Sequence, residues 1–142
     1  MPNALRLTGA VLAGLITAFV LVILVEIFSA IVYPTPPDFK GTMEEMCLHV
    51  QHYPPWILAL VVPLWAGTAY IGTWIAGRLG NLFSAWVVGI LLLLAVVFNV
   101  SSLPYAAWFK GAILMAVPLA IILAGQTVLR RKPPFGDTTT SN

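Results

Sequence analysis

The sequence predicts an all-α membrane protein. The expected architecture is a four-transmembrane-helix bundle with a short amphipathic surface helix between helices one and two, N-in/C-in. Three observations predict it. First, 60% of the 142 residues are hydrophobic and 8% are charged, whereas a soluble domain carries about 25% charge. Second, four apolar runs follow one another, each long enough to cross a hydrocarbon core of ~30 Å at a rise of ~1.5 Å per residue. Third, most Lys and Arg residues gather at the ends of those runs.

Residues 1–132 read as one transmembrane domain, with helices expected at about 5–33, 55–78, 82–100 and 104–130. Inside hydrocarbon every backbone group must find its partner within the segment, so each run is a helix. Membrane strands would show alternating polarity, and no run does. The first run is too long for a signal-peptide core, and Phe28-Ser29-Ala30 lacks the small-x-small cleavage pattern. Arg78-Leu79-Gly80-Asn81 makes a tight turn between helices two and three, with Gly and Asn as the natural stop. Ser101-Ser102-Leu103-Pro104 makes another between helices three and four. Pro63 and Pro118 fall inside helices and predict kinks. Residues 133–142, with Pro133, Pro134, Gly136 and a Thr/Ser run, are expected to be a disordered tail.

The long connection between helices one and two opens with Pro34-Thr35-Pro36-Pro37, which reads as extended. Thr42-Met43-Glu44-Glu45 then fits a capping box, with Thr42 as N-cap and Glu45 at N3. It starts the surface helix, expected at about 43–53. Steps of 100° place Met43, Met46, Cys47 and Val50 on one face, directed at the membrane, and Glu45, His49 and His52 on the other. Pro54-Pro55 ends it and opens helix two, where missing amide protons cost little.

Orientation follows from the basic residues. Arg6, Arg78, Arg130, Arg131 and Lys132 fall on one side and Lys40 and Lys110 on the other, five against two of the seven. The positive-inside rule therefore puts both termini inside. Tyr33, Tyr53, Trp56, Tyr105 and Trp108 suit an outer aromatic belt, and Trp74, Phe83 and Trp86 an inner one. Small residues at spacing four predict close helix packing. They are Ala10, Gly14 and Ala18 on helix one, Ala69, Thr73 and Gly77 with Gly72, Ala76 and Gly80 on helix two, and Ala112, Ala116, Ala120 and Ala124 on helix four. The compact connections and the lack of a targeting signal suit a bacterial plasma membrane.

Two constellations are candidates for chemistry. Glu26 is the only carboxylate in any apolar run, and an acid at membrane depth marks a candidate functional site. It lies ~10 Å of helix rise below Tyr33, and Lys110 lies ~9 Å into helix four. The matching depth predicts that Glu26 faces the bundle interior and pairs with Lys110, with Asn99 beside them. The second constellation is Glu45-x3-His49-x2-His52. Positions i, i+4 and i+7 share a helix face, and two imidazoles with a carboxylate form a ligand set for a divalent metal. It lacks the His-Glu-x-x-His order of a metalloprotease. Asn99-Val100-Ser101 matches a glycosylation acceptor but sits at the membrane edge, which argues against its use.

Several function classes fall away. One cysteine, Cys47, excludes an internal disulfide and a Cys-x-x-Cys redox pair. A net charge of +2 with basic residues at helix ends gives no nucleic-acid surface. No Gly-rich phosphate loop and no Ser/His/Asp arrangement is present. In length, helix count and one acid in helix one, the chain is similar in outline to the small multidrug-resistance exporters. That family keeps its acid near the midplane and its loops short. Glu26 sits higher and the first loop is long, so the likeness ends at the outline. The expected function is that of a non-enzymatic structural, accessory or interaction protein. Its expected partners are the lipid bilayer and either a further copy of itself or a membrane partner protein, with no cofactor. Two alternatives stand beside it: a small oligomeric transporter or channel using Glu26, and an extracytoplasmic metal-binding sensor or enzyme using Glu45, His49 and His52.

Overall fold

Five helices carry almost all of the described chain, which in this computed structural model is residues 2–130. They are α1 (Pro2–Val32), α2 (Met43–Gln51), α3 (Pro55–Leu79), α4 (Leu82–Ser102) and α5 (Ala107–Arg130). Four of them, all but α2, are long and apolar enough to cross a membrane. The chain is thus an all-helical multi-pass integral membrane protein. The tail predicted at 133–142 lies outside the described residues, as do Arg131 and Lys132.

The local signals account for most boundaries. Thr42 caps α2 as expected. Its hydroxyl accepts from the Glu45 amide at 3.3 Å, and the Glu45 carboxylate accepts from the Thr42 amide at 3.4 Å. The same carboxylate accepts from the Lys40 amide at 2.8 Å. Thr42→Ala is therefore expected to weaken α2 by about 1 kcal/mol, visible as faster amide exchange over residues 43–51. Asn81 opens α4 by accepting from the Ser84 amide at 3.0 Å. Helix α5 starts at Ala107 instead of residue 104. Leu103 precedes a proline and takes the extended conformation that position favours, φ −114° and ψ 143°, so the chain needs three more residues to turn. At the far end Arg6 closes α3: its Nε donates to the Leu79 carbonyl at 3.1 Å. Pro63 and Pro118 both lie inside their helices.

The bundle is built around α3, which packs on α1, α5 and α4. Helix α4 also touches α1 and α5, whereas α1 and α5 do not meet. The two ends of the bundle pack differently. At the end holding the start of α1, the small residues meet. Gly14 and Ala18 of α1 are buried against Gly72 and Ala76 of α3, Ala10 lies against Gly80 just after it, and α4 contributes Ala85 and Gly89. A Cβ on Gly14 would stand 2.7 Å from the Gly72 carbonyl oxygen. At the α2 end larger side chains fill the middle: Val25, Ile57, Val61, Phe109 and Ile113. A groove opens between α1 and α4 beside this filling. The outward faces carry large apolar side chains, such as Phe19 at 66% and Met115 at 77% exposure. Such faces are stable only in contact with lipid or another protein.

Candidate functional site

Two features at the α2 end hold the candidate residues. The first is a groove between α1 and α4, floored by α3. Val22 and Glu26 come from α1, Trp65, Thr68 and Ala69 from α3, and Leu92, Val96 and Asn99 from α4. It encloses about 180 Å³. Helical spacing explains the supply. Val22 and Glu26 are one turn apart, as are Trp65 and Ala69, and Leu92, Val96 and Asn99 follow the same repeat.

The expectation that Glu26 faces the bundle interior is corrected here: Glu26 is exposed, on the rim of the groove. On α1 the buried positions at this level are Val25 and Ser29, a turn apart, and they set which face points inward. Glu26 is one residue, or about 100°, around from Val25, which carries it to the flank. The Glu26–Lys110 pair does not form either. Among the described residues no basic nitrogen lies within the 4.0 Å of an ion pair from the Glu26 carboxylate. Lys110 stands in the first turn of α5, and α5 makes no contact with α1. A long stem that close to a helix start reaches the headgroup level. Asn99 is placed where the sequence put it, in the same groove as Glu26.

The groove wall carries polar groups with nothing to bind. The Asn99 Oδ1 and Trp65 Nε1 atoms are buried and lack hydrogen-bond partners. Each such orphan costs about 1–3 kcal/mol. Sequence reading assigned Trp65 no role. Its signal was its place one turn before Ala69 on the small-residue ridge, which puts an indole N–H at the helix junction. Two loop tyrosines also lie near Glu26. Burial, and after it the Glu26 charge, pushes the phenols of Tyr53 and Tyr105 above their ordinary range. Both stay protonated and able to donate.

The second feature is a cap over the end of α1, made by α2 and the proline-rich segment before it. His49 stacks on Tyr33 with ring centroids 4.6 Å apart, meets Tyr53 edge-on at 5.4 Å, and has Phe39 at 6.0 Å. The helical-wheel reading holds for Val50, which is buried at 7% exposure, and is corrected for His49, which packs on neighbouring rings instead of facing water. The reason is aromatic: Tyr33 at the end of α1 and Tyr53 after α2 give His49 two rings to pack on. The tyrosines of the expected outer belt thus serve the cap, with Tyr105 packed on Phe109 at 4.9 Å. Trp56 and Trp108, 57% and 45% exposed, remain as outward anchors.

The three candidate metal ligands line one cleft of about 330 Å³, but they do not converge. Among the described residues no group of three His, Cys, Asp or Glu side chains could hold a metal ion. The Glu45 carboxylate is engaged by the cap amides. His52 Nδ1 lies 2.8 Å from the Leu48 carbonyl, the position of a donor. The His49 ring is held in the aromatic stack. Spacing put them on one face; local hydrogen bonds and stacking aimed them apart.

Burial holds the His49 imidazole below its ordinary range, so the neutral ring is the one that stacks. A free histidine titrates near 6.5. Stacking is then complete above that pH and weakens below it, because the undocked ring binds the proton first. Asp38 and Glu45 line the same cleft and their charges limit the effect. Protection of the α2 amides, corrected for intrinsic exchange, is expected to fall as the pH drops below about 6.5. His49→Phe should flatten that dependence.

Comparison of the chain with protein-family models, with curated proteins and with solved structures finds no match.

Proposed function

We propose that this chain is a non-enzymatic membrane interaction protein. In this reading its α1–α4 flank packs against a transmembrane helix of a second protein, one that carries Lys or Arg at the depth of Glu26. One observation carries the reading: Glu26 is exposed on the flank of a membrane helix, and among the described residues no basic group lies within ion-pair distance. A charged side chain facing lipid costs about 2.5–3.5 kcal/mol at mid-membrane on insertion scales. A cation from a partner would remove that cost and add a charge-assisted bond. The unpartnered Trp65 and Asn99 atoms in the same wall support the reading, since the polar cluster is incomplete within one chain.

A transporter would need polar groups continuing toward the other end of the bundle. There the described chain offers scattered groups that bond locally, such as Thr17 to the Ala13 carbonyl at 2.8 Å and Ser84 to Asn81 at 3.4 Å, with the Tyr70–Thr127 contact at 3.2 Å and the buried, unpartnered Thr73 hydroxyl. The gathering of Arg6, Arg78 and Arg130 at the end opposite α2 supports a cytoplasmic placement of that end, and the short connections support a bacterial plasma membrane.

The test is native mass spectrometry of the protein released gently from its own membrane. The expected result is a complex with a second protein, reduced at least about tenfold in Glu26→Gln, the loss that ~1.4 kcal/mol produces. A lone chain in the wild type would overturn the reading. So would a homo-oligomer, in which Lys110 of a neighbouring copy is the available cation. A proton-coupled flux in vesicles holding only this chain, lost in Glu26→Gln, would replace it with transport.

A further inference from the structure

The cap contains a cleft that the proposed docking flank does not use. It lies between α2 and residues 34–39, on the surface above α1. Its lining combines aromatic rings, Tyr33, Phe39, His49 and His52, with two carboxylates, Asp38 and Glu45, and among the described residues it holds no lysine or arginine. The rings are already organised: Tyr33 and His49 are stacked, and Phe39 is tilted 55° to His49 at a centroid distance of 6.0 Å. The carboxylate of Glu45 is fixed by two backbone amides, at 2.8 and 3.4 Å, so it needs little ordering on binding. The volume, about 330 Å³, is that of a small-ligand site.

Ring faces and carboxylates in one cleft select for a particular chemistry. A metal ion would want converging oxygen or nitrogen ligands, and these do not converge. An anion would meet two carboxylates. A neutral apolar molecule would leave the carboxylates without a counter-charge. An alkylated ammonium group matches both walls: its methyl groups lie against ring faces, and its charge is attracted to the rings and the acids together.

We propose that this cleft binds a quaternary alkylammonium cation of the choline type. Tyr33, Phe39 and His49 form the aromatic walls, and Asp38 and Glu45 supply the counter-charge. Such a cation reaches the site either as a free solute or as a lipid headgroup, since the cleft lies at the membrane surface.

The experiment titrates the full-length protein in a non-ionic detergent with choline chloride. Binding is followed by the chemical shifts of the Phe39 and His49 rings. The uncharged isostere 3,3-dimethylbutanol serves as the control. Saturable binding of choline is expected, at least about tenfold weaker for the isostere and for Phe39→Ala. Asp38→Asn, at an exposed position, should leave the fold intact and weaken choline at least threefold. Equal binding of choline and its isostere would overturn the proposal, as would no shift at either ring. Asp38→Asn also guards against misfolding of the Phe39 variant: unchanged affinity there, with unchanged affinity in Glu45→Gln, would also overturn it. A second arm separates the sources. In nanodiscs of phosphatidylcholine the site should be filled by headgroups, so added choline shifts nothing. In nanodiscs of phosphatidylglycerol the choline response should return. A response in both membranes assigns the site to the free solute.

Discussion

Gly14→Leu is expected to destabilise the bundle by about 3 kcal/mol. A Cβ at Gly14 would stand 2.7 Å from the Gly72 carbonyl oxygen and 2.8 Å from the Ala76 Cβ. Neither neighbour is the end of a flexible side chain. The oxygen belongs to the α3 backbone, and Ala76 is fully buried. Relief requires α1 and α3 to separate along the interface where they approach most closely. In lipid that interface is held by van der Waals packing more than by exclusion from water, so separation forfeits most of what holds the two helices together. Equilibrium unfolding in bicelles measures the loss. The matched control is Gly9→Leu, five residues away on the same helix. Nothing lies within 4 Å of a Cβ there, and the change should be within about 0.5 kcal/mol of neutral. Two variants of equal stability would mean that the small-residue seam does not hold α1 to α3.

Glu26→Leu is expected to act in the opposite direction on the isolated chain. Removing an exposed acid from the groove rim of a membrane helix should stabilise the protein alone by about 1–3 kcal/mol. The lower part of that range applies because Glu26 sits in the outer third of the helix, where the cost of a charge is less than at the centre. The same substitution should abolish the proposed complex with a second protein. Stability gained while association is lost is the signature of a residue kept for an interface. A destabilisation of 1 kcal/mol or more would show instead that Glu26 holds the chain together from within, through the Tyr53 and Tyr105 phenols or the Trp65 and Asn99 groups. The same bicelle unfolding series decides between the two.

What the residues alone determined follows from short-range physics. Four spans, the capping box at Thr42 and Glu45, the stop at Gly80 and the small-residue seam all depend on hydropathy, on spacing along one helix or on local backbone chemistry. Such rules apply before any helix meets another. The start of α5 was missed because the extended Leu103 delays the turn, which is a boundary effect of a few residues. Tertiary structure decided the direction of each side chain relative to its neighbours. Glu26 went to the flank because Val25 and Ser29 claimed the inward face. Lys110 was left apart because α1 and α5 sit on opposite sides of α3 and α4. His49 turned inward because Tyr33 and Tyr53, distant in sequence, offered it two rings. A sequence gives each residue an angle on its own helix. The angle between helices comes from packing the whole set at once, and at the α2 end that packing determined which polar groups meet and which remain unpaired.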